Sequence, residues 1–319
     1  MKIAVPKEVR QGERRVALVP ESCKKLIGKG IEVAVESGAG EPSFFSDDAY
    51  RQVGVEVGSD AGALCSAADF VLKVQPPTEA EVSRLREGAM LLCSLLPSRH
   101  LEVVRRLAER KITTFSTDSI PRITRAQSMD TLSSMASIAG YKAVLMAAAE
   151  LSKYFPMFMT AAGTIFPAKV FVIGAGVAGL QAIATAKRLG AAITATDTRK
   201  TVAEQIQSLG GKYVGVESDE DAQTASGYAK ELSQEFYRKQ GELIAQQCAL
   251  SDVVITTALI GGVMAPRLIT AEMVHKMQPG AIIVDLAAEG RGNCELSKPG
   301  ETVVEHGVTI MAPLNVPSA

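Results

Sequence analysis

Three glycines with fixed spacing give the strongest chemical signal in this 319-residue sequence. Gly174, Gly176 and Gly179 form a Gly-x-Gly-x-x-Gly pattern between an apolar, β-branched run and a segment with helical character. In that context the first glycine permits a tight turn and the second lets backbone N–H groups approach a pyrophosphate. The third lets the helix pack closely on its strand. The pattern therefore predicts a dinucleotide site at the N-terminus of the helix.

An acidic residue stands 18 positions after the last of these glycines. Asp197 ends a second predicted strand, where a carboxylate accepts hydrogen bonds from the adenosine ribose and repels a 2′-phosphate. This favours NAD over NADP. Arg199 and Lys200 follow directly and could instead serve a 2′-phosphate, but we give the carboxylate more weight. Thr198 and Arg199 are included with Asp197 among the residues expected to bind the cofactor.

A polar cluster earlier in the chain is the best candidate for work on a substrate. Gln127, Asp130 and Ser133 are spaced at i, i+3 and i+6, which predicts that they line one side of the first two turns of a helix. Arg122 precedes that helix on a loop, and Arg125 lies between. The cluster could orient an amide and a ribose, but it contains no base suited to alcohol or amine chemistry.

A structural interpretation of the same residues stays open. Thr124-x-x-Gln127 fits a capping box, and Asp130 near a helix start is favourable with the helix dipole. From the residues alone the two interpretations are equally supported.

The three histidines are poor candidates for a catalytic base. We expect surface or capping roles for His100, His275 and His306, because none lies near the carboxyl end of a predicted strand facing a cofactor crevice.

Composition excludes several classes of function. The 34 basic and 35 acidic residues give a net charge of −1, so nothing favours nucleic acid or an anionic membrane as a partner. No uninterrupted apolar run approaches the ~20 residues of a membrane span, so we expect no direct insertion. The chain opens as a strand, without a targeting segment. Five scattered cysteines lack CxxC spacing, so we expect reduced thiols in the cytoplasm and no metal.

Alternating strand and helix patterns predict an α/β fold with two Rossmann-like, doubly wound parallel-sheet lobes joined by a long helix. We divide the chain into an N-terminal lobe (1–125), a connecting helix (126–158) and an NAD(H)-binding lobe (159–319). The strands expected in the second lobe make a six-stranded sheet: Val170–Ile173, Ala192–Thr196, Tyr213–Val216, Val253–Thr257, Ile282–Leu286 and Val308–Met311. A polar insertion, Glu217–Gly227, interrupts this rhythm and is either a functional lid or a solvated loop.

Several segments together resemble the NAD(H)-binding domain of the alpha subunit in the proton-translocating (Re/Si-specific) NAD(P) transhydrogenase family, over essentially the whole chain. The segments that carry the resemblance are Pro121–Asp130, Ala139–Tyr141, Gly174–Ile183, Gly227–Lys230, Ile255–Ile260, Asp285–Ala288 and Gly292–Cys294.

The resemblance implies hydride transfer between NAD(H) on this domain and NADP(H) on a partner domain, coupled to proton movement through a membrane subunit. It also implies a homodimer on the cytoplasmic face of the inner membrane. It places around the nicotinamide and its ribose Arg122, Gln127, Asp130 and Ser133. It places Gly174, Gly176 and Val177 at the pyrophosphate, Asp197 at the ribose and Leu259 at the adenosine end, with Gly227 and Tyr228 on a mobile loop. A hydride that passes between two nicotinamides needs no general base, which explains the scarcity of histidines.

Alanine dehydrogenase shares the architecture and is the main alternative. In that family an arginine, a lysine and a histidine handle the amino or keto acid, and here Leu96 stands at the histidine's position. A leucine transfers no proton. We therefore expect Arg15 and Lys73, the basic residues that remain, to pair structurally with carboxylates. A non-catalytic NAD(H)-sensing module is a further alternative.

The chain departs from the transhydrogenase pattern at two places. That pattern continues beyond Ala319 into a helical segment that folds back on the first lobe, so we expect this lobe to lack part of its cover. Residues 260–266 replace the family's usual Pro-Gly-Lys-Pro, which puts contacts from that loop in doubt.

Overall fold

A computed structural model of the chain describes residues 1–121, 123–216, 233–259 and 265–319. These residues form two compact units, one of residues 1–132 with 318–319 and one of residues 133–317. Each unit is built on a sheet whose central strands run parallel, so the predicted α/β class is confirmed. The finer division of the chain at residues 125 and 158 stays a prediction.

Strands and helices alternate strictly in the first unit. They are β1 (Lys2–Val5), α1 (Pro20–Ile27), β2 (Glu32–Glu36), α2 (Asp47–Arg51), β3 (Glu56–Gly58), α3 (Ala61–Ala67), β4 (Phe70–Leu72), α4 (Glu79–Arg84), β5 (Met90–Cys93), α5 (Leu101–Glu109) and β6 (Thr113–Ser116). All of these strands pair in parallel, in the order β3-β2-β1-β4-β5-β6. Strand β3 was not predicted from the sequence, because it is only three residues long and ends in a glycine.

The second unit repeats this plan. A helix, α6 (Thr131–Glu150), leads into it from the first unit. Its further elements are β7 (Phe158–Thr160), β8 (Gly163–Ile165), β9 (Lys169–Ile173), α7 (Val177–Arg188), β10 (Ala192–Thr196), α8 (Ala203–Ser208), β11 (Lys212–Tyr213), α9 (Gln234–Leu250), β12 (Val253–Thr256), α10 (Ala271–His275), β13 (Ile282–Asp285), β14 (Thr302–Glu305) and β15 (Val308–Met311).

The main sheet of the second unit has the order β11-β10-β9-β12-β13-β15-β14. The six predicted strands are present within a few residues of their predicted bounds, and they pair in parallel. The extra strand, β14, pairs antiparallel with β15. His306 and Gly307 join these two strands, and both have positive φ, which is the backbone of a two-residue hairpin turn.

The central strands are buried on both faces, as parallel strands between two layers of helices must be. Alternate residues enter two different cores. Val172 and Ile255 pack with α6 and α7 residues on one face, whereas Phe171 and Val254 pack with residues of α9 and α10 on the other. The near-continuous apolar runs of β9, β12 and β13 follow from this double burial.

The connecting helix is shorter than predicted. A 3₁₀ helix covers Thr124–Met129, the backbone leaves helical geometry at Asp130 (ψ 82°), and α6 then runs from Thr131 to Glu150. By length and composition alone α6 could cross a membrane, with a mean hydropathy of 1.3. Core helices of water-soluble proteins meet the same criterion, and here small residues of α6 enter the core of the second unit.

A backbone contact fixes α6 on α7. A Cβ atom at Gly140 would lie 2.0 Å from the carbonyl oxygen of Ala178, so the two helices touch where only a glycine fits. Gly140 is buried, as are Ala143, Val144 and Ala147 on the same helix. The stripe of small residues is therefore a packing surface for the first turn of α7.

We expect Gly140→Ala to lower the free energy of unfolding by about 2 kcal/mol, because the added methyl group must push two backbones apart. The matched control is Gly241→Ala, in the middle of α9, where a Cβ atom meets nothing within 4 Å. That variant should gain about 1 kcal/mol from helix propensity. Urea unfolding measures both, and equal effects of the two substitutions would contradict the packing argument.

Candidate dinucleotide site

The glycine turn between β9 and α7 has the geometry that its sequence predicts. Gly174 has φ +96°, and a Cβ atom there would lie 2.7 Å from the Thr257 hydroxyl. A Cβ atom at Gly179 would lie 1.8 Å from the Gly174 carbonyl oxygen, so α7 packs directly on the end of its strand. Gly176 differs, since a Cβ atom there meets nothing within 4 Å. The open side of the turn is therefore at Gly176.

Two side chains hold the backbone of this turn from neighbouring strands. Thr257, just after β12, donates its hydroxyl to the Gly174 carbonyl oxygen at 2.9 Å. Asp197, just after β10, accepts the N–H of Ala175 at 2.8 Å. The N-cap of α7 is Gly176, and no side chain caps the helix there. The N–H groups of the first turn of α7 are thus left for an anionic ligand such as a pyrophosphate.

The carboxylate of Asp197 is surrounded by donors. Its Oδ1 accepts the backbone N–H and the Nε–H of Arg199, both at 2.9 Å, and its Oδ2 accepts Arg199 Nη2 at 3.0 Å. The side chain is only 8% exposed. Hydrogen bonds from Asp197 raise the pKa of Arg199 against the opposing effect of burial.

This pairing decides between the two interpretations of the segment after β10. The Arg199 guanidinium binds Asp197 and is not held ready for a 2′-phosphate, whereas Lys200 is exposed at the start of a 3₁₀ helix. Thr198 is half-buried beside them. Ribose hydroxyls that bind Asp197 must compete with the Arg199 guanidinium for its oxygens.

Other predicted contact residues lie at the carboxyl ends of the same strands or outside the described residues. Val177 opens α7 and is 40% exposed, and Leu259 follows β12 and is 47% exposed. Both could touch a ligand. The predictions for Arg122, for the Glu217–Gly227 segment with Gly227 and Tyr228, and for the altered loop at residues 260–264 fall outside the described residues.

The predicted single helix face at residues 127–133 is wrong. Gln127 lies exposed in the 3₁₀ helix, Asp130 is the residue at which that helix ends, and Ser133 lies in the first turn of α6. The predicted capping box is also wrong, because Thr124 lies inside the 3₁₀ helix and the N-cap is Ile123, which has no side-chain cap. The helical spacing fails because the backbone changes direction at Asp130.

Arg125 is exposed within the same 3₁₀ helix. Gln127 and Asp130 belong to the first unit and Ser133 to the second.

The corresponding end of the first unit's sheet is closed by ion pairs. Where β9 is followed by glycines, β1 is followed by Pro6, Lys7 and Glu8. Lys73, just after β4, lies 2.7 Å from a Glu81 oxygen and 3.3 Å from a Glu8 oxygen, and its side chain is 2% exposed. Burial opposes the charge on Lys73, but the two carboxylates outweigh it and raise its pKa.

Arg15 is engaged in the same way. Its Nε and Nη2 atoms donate to the two oxygens of Glu13 at 2.8 and 2.6 Å. Glu13 also accepts from Gln75 and from the Ser318 hydroxyl, and its side chain is fully buried. The expectation that Arg15 and Lys73 pair with carboxylates is confirmed.

Leu96 is held in an unusual backbone conformation. Its φ is +48°, a left-handed value that costs a leucine about 1 kcal/mol, and its N–H donates to Asp118 Oδ1 at 3.1 Å. No proton-transferring group stands at this position, where the dehydrogenase pattern has a histidine. Of the chain's three histidines, His100 is the N-cap of α5, while His275 and His306 form an exposed ring pair with centroids 3.5 Å apart.

Sequence reasoning gave no role to two buried polar residues beside the turn, Asp285 and Asn293. Both are fully buried, and each is hydrogen-bonded to backbone at the carboxyl ends of β12 and β13. The motifs that contain them carried the family resemblance, but a polar residue in an apolar context does not reveal which backbone groups it will meet.

Comparisons with known proteins agree with the fold and the glycine turn. The family described as "Alanine dehydrogenase/PNT, N-terminal domain" matches residues 4–139, and "Alanine dehydrogenase/PNT, C-terminal domain" matches residues 143–319. The first of the polypeptides that make up NAD(P) transhydrogenase subunit alpha in Rhodospirillum rubrum is 53% identical, over 100% of this chain and 85% of that protein.

Two solved structures give the same result. A transhydrogenase from Sinorhizobium meliloti has a TM-score of 0.88 and 44% identity, covering 100% of this chain and 88% of its own. An L-alanine dehydrogenase has a TM-score of 0.82 and 25% identity, covering 100% and 85%. The chain is thus more similar in sequence to the transhydrogenase than to the dehydrogenase.

The Glu13 cluster makes stability depend on pH. Burial opposes the charge on Glu13, but hydrogen bonds from Arg15 and Gln75 lower its pKa to about 2, from an ordinary value of 4.5. The corresponding stabilisation, about 3 kcal/mol at most, is complete above pH ~4.5 and is lost as the pH falls toward ~2.

We expect Glu13→Gln to cost about 2–3 kcal/mol at pH 7, and the difference from wild type should shrink as the pH falls from 4.5 toward 2. Urea unfolding at several pH values measures this. Glu32→Gln, at an exposed carboxylate that begins β2, is the control and should match wild type throughout. A Glu13→Gln deficit that stays constant down to pH 2.5 would contradict the assignment.

Proposed function

This chain belongs to the alanine dehydrogenase/PNT family, and from that premise we propose that it is the NAD(H)-binding component of an NAD(P) transhydrogenase. In this proposal NADH bound here passes a hydride directly to NADP⁺ held on a separate NADP(H)-binding component. A membrane subunit couples the transfer to proton translocation. The chain alone then has no transhydrogenase activity, because the second nucleotide is bound elsewhere.

The observation that supports the proposal best is the turn of Gly174, Gly176 and Gly179 with Asp197 beside it. The open space at Gly176 and the uncapped start of α7 fit a pyrophosphate. The Asp197 carboxylate fits a ribose diol and disfavours a 2′-phosphate. These residues would hold NAD(H), which supplies a hydride donor at its dihydronicotinamide ring.

The residues assigned to the nicotinamide end have positioning roles in this proposal. By the family resemblance, Gln127, Asp130 and Ser133, with Arg122, bind the carboxamide and the adjacent ribose. Amide, carboxylate and hydroxyl groups suit that task, because they fix ring orientation through hydrogen bonds. The reaction NADH + NADP⁺ → NAD⁺ + NADPH releases no proton at either ring, so no general base is required.

A stand-alone alanine dehydrogenase is the second candidate, and the first unit disfavours it. Amino-acid oxidation needs a group that accepts a proton, and Leu96 cannot do so. The cations that could bind a substrate carboxylate are occupied, Arg15 by Glu13 and Lys73 by Glu81 and Glu8. An NAD(H)-sensing module would need the nucleotide turn but no constraint at residues 127–133.

We further propose that the working unit is a homodimer. The β7–β8 hairpin and its flanks expose five large apolar side chains, which are between 45% and 80% exposed: Tyr154, Met157, Phe158, Met159 and Phe166. Ile138 and Tyr141 of α6 are exposed as well. A monomer in water rarely carries so many exposed apolar groups on one short segment, and a second copy of the chain would cover them.

We expect NADH to bind more tightly than NADPH, and Asp197→Asn to weaken NADH binding about tenfold while narrowing that preference. Fluorescence titration measures both dissociation constants. The control is Asp252→Asn, which makes the same chemical change at the amino end of β12, where Asp252 binds Lys153 and the N–H of Lys169. Equal affinities of the wild type for NADH and NADPH would contradict the role of Asp197.

The activity test combines this chain with a purified NADP(H)-binding component of a transhydrogenase. We expect hydride exchange between NADH and an oxidised NADP analogue, none without the second component, and a large loss of rate with Gln127→Ala or Asp130→Ala. No NADH should form from alanine and NAD⁺. Tight NADH binding without exchange would contradict the transhydrogenase assignment, and alanine-dependent NADH formation would restore the dehydrogenase alternative.

The dimer is tested by light scattering after size-exclusion chromatography. The wild type should have twice the chain mass of 33.7 kDa, and the double substitution Met159→Glu with Phe166→Glu should give the single-chain mass without loss of fold. Val304→Glu, at a residue 65% exposed on β14, is the control and should stay dimeric. A monomeric wild type, or an unchanged double variant, would contradict the hairpin interface.

A further inference from the structure

Asn293 connects the two ends of the chain segment that leaves β12. Its Oδ1 accepts the N–H of Ala258 at 3.0 Å, and its amide group donates to the carbonyl oxygens of Ala258 at 2.9 Å and Pro266 at 2.8 Å. The residue is fully buried. Both N–H bonds of the side-chain amide are used, so the amide fixes one residue before the segment and one after it.

The main chain of Asn293 adds to this connection. Its carbonyl oxygen accepts the N–H groups of Leu268 at 2.8 Å and Ile269 at 3.0 Å. The turn that carries Asn293 is itself held by Asp285, the last residue of β13, whose Oδ2 accepts the N–H of Cys294 at 3.0 Å. Asn293 is thus held at the end of the sheet before any ligand arrives.

Asp285 joins this turn to β12 as well. Its Oδ1 accepts the Thr256 hydroxyl at 2.9 Å and the N–H of Ala287 at 3.0 Å, and its Oδ2 also accepts the Ser297 hydroxyl at 2.6 Å. The carboxylate is fully buried and receives four hydrogen bonds. A buried carboxylate without these donors would be strongly destabilising, so the network ties the ends of β12 and β13 together.

The segment that Asn293 fixes borders the nucleotide turn. Strand β12 pairs with β9, and the N–H of Ala258 lies 3.3 Å from where a Cβ atom of Gly174 would be. Leu259 comes next and is 47% exposed. The carboxyl end of β12, beside the glycine turn, is where a doubly wound sheet places one wall of its nucleotide site.

We propose that Asn293 is a positioning residue for NAD(H) binding: its side-chain amide fixes the Ala258 backbone, so that Leu259 is held in place against the adenosine half of the dinucleotide. This inference rests on the proposed function. Asn293 acts through the chain and touches no nucleotide atom. Because the wall is formed before binding, the nucleotide does not have to order it.

The test compares Asn293→Ala with Ser251→Ala, which removes another buried side-chain hydrogen bond to backbone at the opposite, amino end of β12. We expect Asn293→Ala to weaken NADH and 5′-AMP about tenfold each, because both ligands carry the adenosine, and to leave reduced nicotinamide mononucleotide unchanged. Ser251→Ala should alter none of the three affinities. Titrations are made on protein shown by circular dichroism to be folded.

A second measurement needs no variant. In the wild type without nucleotide, hydrogen–deuterium exchange at the Ala258 amide should be as slow as at the amides of β12. An Ala258 amide that exchanges as fast as exposed loop amides until NADH is added would overturn the inference, even if Asn293→Ala does not fold.

The outcomes separate the two proposals. A wild type that binds no NADH contradicts the proposed function and this inference with it. A wild type that binds NADH, alongside an Asn293→Ala variant that binds NADH and 5′-AMP equally well, contradicts the inference alone. A loss confined to reduced nicotinamide mononucleotide would also overturn it.

Discussion

The second unit depends on one close backbone contact, between the carbonyl oxygen of Gly174 and the α-carbon of Gly179. A Cβ atom at Gly179 would lie 1.8 Å from that oxygen, so a residue with a side chain would push α7 away from β9. Three neighbours then meet the same turn. Gly140 of α6 packs on Ala178, while Asp197 and Thr257 bind its backbone. What they leave uncovered is the start of α7, where the helix dipole favours an anion.

The two units show how one topology supports different chemistry. In both, the end of the sheet between the first and fourth strands is the place where doubly wound folds bind ligands. In the second unit glycines keep this place open. In the first unit Glu8 accepts the N–H of Val74 at 2.6 Å and pairs with Lys73, so buried ion pairs fill the corresponding position. The nucleotide turn is thus confined to one of two similar sheets.

The features that sequence predicted well are those in which one residue type has one physical use. Glycines at a strand–helix junction and an acid at the end of the next strand predicted their own geometry, as did the apolar runs of the parallel strands. The helical spacing of Gln127 and Asp130 misled, because a change of backbone direction at Asp130 leaves no trace in side-chain periodicity. The Asn293 connection was also missed. Its partners are backbone groups, which every residue carries, so nothing in the residue types identifies them.

The most direct test of the proposed chemistry follows a hydride rather than a rate. The central claim is that the hydride moves between two nicotinamides with no protein group taking part in proton transfer, consistent with Leu96 at the position where a dehydrogenase has a histidine. NADH deuterated at the transferred C4 position should be mixed with this chain, the NADP(H)-binding component and NADP⁺, in ordinary water. We predict complete transfer of deuterium to the NADPH formed, by mass spectrometry, and no label from solvent in the converse experiment in D₂O. Solvent-derived hydrogen at that carbon would contradict direct transfer.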